Sequence, residues 1–238
     1  MAIPTYTRID NTEVDAESII TESLMTRFKN NVLALLGVDE AATNPVISLG
    51  IRGEVFATDA FINSVGITVS GSVPGPYTLT VPAGISKMWL EIVGGGGGRD
   101  TTDGTASTVT GSTSGAIATA NNGTGSTGGA ASGRCFAGAN GTLARGGCSA
   151  GPHGPGHSAD EYGGFGGKAG LWISSGSQTP GTGYGHGSWG GAAMAVVGGG
   201  GAAGGAFVIS VVPGETLTLT PGVAGGRGSR PGFIRLRF

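Results

Sequence analysis

The residues best able to do chemistry lie between Gly94 and Gly205, and each grouping fails a requirement of the chemistry it suggests. Gly198-Gly199-Gly200-Gly201-Ala202-Ala203 satisfies the spacing G-x-G-x-x-A behind the apolar Met194 to Val197. That pattern cradles a pyrophosphate only where a helix N-terminus follows, and here Gly204-Gly205 leads into the strand-like Ala206 to Val212. Gly94 to Gly98 is likewise followed by no helical periodicity. His153 and His157 stand four apart near Cys148, but the intervening Gly154-Pro155-Gly156 forbids the helix that would align two imidazoles. Cys135 and Cys148 are too widely spaced for a structural zinc knuckle. The run His157-Ser158-Ala159-Asp160 lacks the oxyanion hole and geometry that define a hydrolytic triad. The acids here are only Asp100, Asp103, Asp160 and Glu161, and an adjacent Asp160-Glu161 pair reads as a solvated turn, not as a glycosidase pair flanking a bond. A chain without enzymatic activity, metal or cofactor is the expectation.

The aromatic residues carry the positive reading. Tyr162, Phe165, Trp172, Tyr184 and Trp189, with His153, His157 and His186, sit among glycine-rich loops. Flat rings beside adaptable polar groups suit binding of sugars or protein loops. Tyr162, Phe165, Trp172, Tyr184, His186 and Trp189 are the binding candidates. The competing reading is that rings such as Trp172 and Phe165 form the core of the loop region itself.

The elements that must position these residues separate by composition. Segment 1–37 holds the one clear helix, from Thr21 to Leu36, with Met25, Phe28, Val32, Leu35 and Leu36 on one face. Thr21 can cap its start, Glu22 suits the positive end of the helix dipole, and Gly37 can end it. Segment 38–75 reads as a connector of short strands at Val46 to Leu49, Gly53 to Phe56 and Ile67 to Ser70. Segment 76–238 begins with Tyr77 to Val81, a Pro82-Ala83-Gly84 turn and Lys87 to Val93, whose alternation predicts a half-buried hairpin. Phe207 to Val212, the turn at Pro213-Gly214, and Glu215 to Thr220 predict a second, and Phe233 to Phe238 a final strand. Arg235 and Arg237 alternate with Leu236 and Phe238, as on a solvated strand face.

The insert 94–205 is roughly a third glycine without the strict period of collagen. Either it is a flexible linker or its glycine runs pack as polyproline-II-like extended segments. The large apolar groups recurring through it, from Phe136 to Val197, favour order. The fold class expected is therefore mainly β: a β-sandwich-like base, a glycine-rich polyproline-II-like insert and one N-terminal helix.

With 51 glycines in 238 residues, about three times the usual share of roughly 7%, little side-chain volume is left to bury. A closed symmetric assembly, such as a homotrimer using the helix face Met25, Phe28, Val32, Leu35 and Leu36, would supply the missing burial. Net charge is −2, which gives no basic footprint for nucleic acid. The N-terminus has no signal-peptide pattern and no apolar stretch approaches the ~20 residues of a membrane span, so cytoplasmic synthesis without membrane insertion is expected. Synthesis in a reducing compartment favours free thiols at Cys135 and Cys148, and an oxidising exterior would permit a disulfide.

Tyr77-Thr78-Leu79-Thr80-Val81-Pro82-Ala83-Gly84-Ile85, followed by Lys87 to Val93 and Gly94 to Gly98, resembles the start of the glycine-rich domain of tailed-bacteriophage fibre and adhesin proteins. Val197 to Gly205, the turn Pro213-Gly214-Glu215 and the final Gly225 to Phe238 are similar to the way that domain closes. Thr5 to Leu36 resembles N-termini common among phage structural proteins. The resemblance implies a virion structural protein made in the host cytoplasm: a tail fibre or tail-tip adhesin whose glycine-rich loops bind a host-surface glycan or outer-membrane protein. Its other partners would be tail or capsid proteins. A capsid decoration protein or head fibre is the alternative. A freestanding cell-wall or ice-binding protein would call for an export signal or a strict short repeat.

Overall fold

The computed structural model describes residues 22–36, 53–71, 75–98, 102–142, 146–157, 171–174, 177–179, 183–185, 198–226 and 229–238. The chain divides into two units, Met1–Ile51 and Arg52–Phe238. The described part of the first is α1 (Glu22–Leu36), beginning one residue after the expected cap. Leu24 is buried, whereas Met25 and Phe28, on the expected apolar face, are 54% and 59% exposed. The side chains of Val32, Leu35 and Leu36, and the cap residues Thr21 and Gly37, lie outside the described residues.

The second unit is mainly β. Its strands are β1 (Glu54–Thr58), β2 (Ile62–Val65), β3 (Val69–Gly71), β4 (Tyr77–Thr80), β5 (Lys87–Val93), β6 (Ser107–Gly111), β7 (Gly115–Ala120), β8 (Leu171–Ser174), β9 (Ser177–Thr179), β10 (Gly204–Ser210), β11 (Thr216–Thr220) and β12 (Phe233–Arg237). Two antiparallel five-stranded sheets form, in the orders β10-β5-β12-β1-β2 and β3-β4-β11-β6-β7, with β8-β9 as a separate pair. Period-two alternation decides what lies between the sheets. Val55, Met88, Leu90, Ile92, Ile209, Ile234 and Leu236 from the first face Tyr77, Leu79, Val109, Leu217 and Leu219 from the second, in one buried cluster. Each fully buried aliphatic side chain contributes roughly 1.5–3 kcal/mol.

Three expectations are corrected. The described part of 38–75 is no connector, because β1, β2 and β3 belong to the two sheets and β1 pairs with the C-terminal β12. The segments Tyr77 to Val93 do not form a hairpin: β4 and β5 lie in different sheets, as do β10 and β11. Alternating apolar residues suit either arrangement, since in both every second side chain meets a core. The crossing links stack on each other instead, through Val81 N–H to Glu215 O (2.9 Å), Gly214 N–H to Val81 O (2.9 Å) and Val211 N–H to Ser86 O (3.0 Å). Finally, the insert contributes a hairpin, β6-β7, that extends the second sheet beside β11.

The remaining described insert is a hydrogen-bonded array of extended runs. Gly94, Gly95, Gly96 and Gly97 donate in turn to Ala203, Thr105, Arg230 and Gly200, so the fourth N–H returns to the run the first one used. Likewise Gly198 and Gly201 donate to Thr142 and Ala139 of one run, while Gly200 and Ala203 donate to Gly125 and Asn121 of another. A partner that recurs every third residue is the signature of threefold polyproline-II-like backbone, where a strand would alternate every second. Such runs approach too closely for side chains. A Cβ at Gly201 would fall on the Cys148 carbonyl, and one at Gly138 on the Gly201 carbonyl.

Buried polar groups tie the array to the sandwich. Ser107 Oγ donates to Val93 O at 2.6 Å and accepts from Gly222 N–H at 2.7 Å. The Glu215 carboxylate accepts from Val212 N–H (2.6 Å), Ser114 Oγ–H (3.0 Å) and Ser114 N–H (3.1 Å), joining the β10–β11 link to the β6–β7 turn. Burial alone would raise its pKa, but these donors outweigh that and hold it below the usual carboxylate value.

Candidate binding site

Of the aromatic candidates, Tyr184 is placed by its ring. It sits edge-on to Phe233 at 4.9 Å and to Phe56 at 5.5 Å between ring centroids. Phe56 and Phe233 are on the outer face of the first sheet, since their neighbours Val55, Ala57 and Ile234 face the core. The backbone is fixed there too: Tyr184 O accepts from Ser149 Oγ–H (2.9 Å), and Gly185 N–H donates to Pro231 O (2.8 Å). Tyr184 is therefore half-buried, its ring packed on the outer face of the first sheet. Trp172 lies in β8 opposite Gln178. Tyr162, Phe165, His186 and Trp189 lie outside the described residues. His153 and His157 are exposed in the turn 151–157. Among the described residues no group of three or more His, Cys, Asp or Glu comes together as a metal site. Cys135 and Cys148 are both buried, and burial pushes the Cys135 pKa up to about 11.

The outer face of the first sheet carries two cross-strand rows. Val208, Trp89, Arg237, Glu54 and Val65 stand in register, and beside them Glu91, Arg235 and Phe56. Arg237 Nε lies 3.0 Å from Glu54 Oε2, and Arg235 NH1 3.3 Å from Glu91 Oε2. Arg235 Nε is 3.4 Å from Glu54 Oε1, without hydrogen-bond geometry. The Arg235 guanidinium carbon is 4.9 Å from the centre of the Phe56 ring. The expected strand face of Arg235 and Arg237 is thus a charge-balanced lattice. Such partly exposed pairs contribute about 0–1 kcal/mol each. Trp89, 38% exposed, donates from Nε1 to Glu91 Oε1 at 3.3 Å.

A shallow groove lies where the edge strands β7 and β10 of the two sheets diverge. Two adjoining hollows of about 280 Å³ and 320 Å³ share Ala116, Ile117, Arg134 and Phe207 in their linings. Arg134 comes from the turn Ser132–Cys135, which is closed by Cys135 N–H to Ser132 O at 2.9 Å and tied to β7 by Ser132 Oγ–H to Thr119 O at 2.6 Å. The exposed Arg134 guanidinium donates to Val208 O at 2.8 Å, with its carbon 5.1 Å from the Phe207 ring centre. It thereby borders both hollows. Sequence reasoning missed this groove: Arg134 stands alone in a glycine-rich stretch, and its partners Phe207 and Val208 are remote in the chain.

No protein-family model matches the chain, and neither a curated protein nor a solved structure matches it. Among the described residues, no helix is long and apolar enough to cross a membrane.

Proposed function

We propose that the chain is a non-enzymatic structural protein of a tailed-bacteriophage particle, a tail fibre or tail-tip adhesin that binds the host surface through its glycine-rich segment. The observation that carries this reading is the array of extended glycine runs mounted on a β-sandwich. Backbone hydrogen bonds hold that frame, so connecting loops can change side chains without disturbing it, which is how binding residues are usually presented. The reading also draws on the sequence resemblance of Tyr77 to Gly98 and Val197 to Gly205 to adhesin domains. In this reading, segment 1–37 seats the protein on its particle. The exposed Met25 and Phe28 of α1 supply apolar contacts to tail proteins or to symmetry mates in a homotrimer or other closed assembly. The partner on the host side is a surface glycan or outer-membrane protein, and the protein resides in the virion.

Gold-labelled antibody on whole particles, paired with adsorption competition by the purified chain, tests this. Label at the tail and slowed adsorption are expected. Dense label over the head, with adsorption unaffected, would replace the adhesin with a capsid decoration protein.

A further inference from the structure

We infer that the groove between β7 and β10 binds a carboxylated saccharide, with Arg134 receiving the carboxylate. The inference rests on the adhesin reading, in which a glycan is a host receptor, and names its chemical class.

Size and lining come first. Each hollow is close to the ~300 Å³ at which small-ligand sites begin, and the two overlap in an open groove, so one pyranose ring fits with linked rings extending into solvent. Ala116, Ile117 and Ala118 offer apolar surface to the C–H face of a pyranose. Ser132 and Ser210 border it with hydroxyls, and the nearby Glu215 carboxylate, behind Ser114, is already engaged by the Ser114 hydroxyl and N–H and by the Val212 N–H.

The donors point the same way. Phe136 and Gly204 exchange N–H and C=O bonds of 2.8 and 3.1 Å on the side of β10 away from β5. Antiparallel alternation then turns the backbone groups of Val208 and Ser210 to that same open edge. Arg134 uses one of them, the Val208 carbonyl, through NH1, and its planar fork has five N–H donors in all. Stacking over Phe207 holds the fork in place at the boundary of the hollows. The guanidinium is the groove's cationic donor, and its planar fork matches a carboxylate bidentately. A neutral sugar would use the apolar floor but leave that donor unmatched.

The test titrates the full chain with a galacturonic acid trisaccharide and with the neutral galactose trisaccharide by calorimetry. The acidic probe should bind at least about tenfold more tightly. Arg134→Gln and, as an independent block, Ala116→Trp filling the shared lining, should each weaken it by about tenfold or more at an unchanged melting temperature. Equal affinity for the two probes, or undiminished binding by folded Ala116→Trp, would overturn the site. Cell adsorption separates the two readings. If wild type and Arg134→Gln adsorb to host cells equally, the groove proposal fails while the adhesin reading stands. If the acidic probe binds as expected but the wild-type chain does not adsorb, the adhesin reading fails while the site stands.

Discussion

The Tyr77 hydroxyl donates to the Thr58 carbonyl at 3.0 Å from the opposite sheet, with both residues buried. Burial, reinforced by the nearby charge of Asp59, raises the Tyr77 pKa above its ordinary value, so the phenol keeps its proton at neutral pH. Tyr77→Phe retains the ring and removes only the donor. It should cost about 1–3 kcal/mol in urea denaturation, because the Thr58 carbonyl is left buried without it. Stability equal to wild type would show that the bond does not clasp the sheets.

Ser107 bridges Val93 O and Gly222 N–H with one hydroxyl. Ser107→Ala should destabilise by about 2 kcal/mol or more, since an acceptor and a donor are orphaned together. A loss no larger than that of an exposed serine such as Ser86→Ala would count against this role.

Glu215 should make the fold acid-sensitive. Its folded pKa lies below the ordinary 4.5, so its contribution is fully present above that pH and is lost as pH falls through the folded value. The melting-temperature gap between wild type and Glu215→Gln should be widest near about pH 7 and narrow below about pH 4. Parallel curves would refute the assignment.

The glycine array predicts a contrast between two alanine substitutions. Gly201→Ala drives a methyl into the Cys148 carbonyl, which only a shift of neighbouring backbone can relieve, whereas a methyl at Gly154 would have no atom within 4 Å. Thermal denaturation should show a loss of about 1–3 kcal/mol or more for Gly201→Ala and about 0.5 kcal/mol or less for Gly154→Ala. Similar losses in both would mean that close packing of runs is not what holds the array.

Cys135, with its pKa raised to about 11 by burial, should stay a neutral thiol and react slowly with a disulfide reagent at about pH 8 in the native protein. Denaturation without reductant should release both thiols, Cys135 and Cys148. Absence of that release would mean the two are oxidised.

Much of the candidate site was illegible in the linear chain. The aromatic residues could be named but not assigned, because a ring in a loop reads the same whether it projects or packs. Tyr184 packs because Phe56 and Phe233, from strands at opposite ends of the sandwich sequence, meet beneath it. Arg134 gave no signal at all, since a lone cation among glycines acquires meaning only when β10 arrives alongside.

What the sequence determined by itself is local. Period-two alternation placed Leu79, Leu90, Leu217 and Leu236 on buried faces, apolar spacing gave α1, and glycine runs without collagen's period pointed to packed extended backbone. Tertiary structure alone decided which strands are neighbours. Tyr77–Thr80 and Lys87–Val93 alternate as a hairpin would, yet each pairs instead with a strand more than a hundred residues away, β11 and β10. Alternation records which side of a strand is buried but carries no label for the partner along its edge, so long-range backbone pairing had to settle both the sandwich and the groove it leaves open.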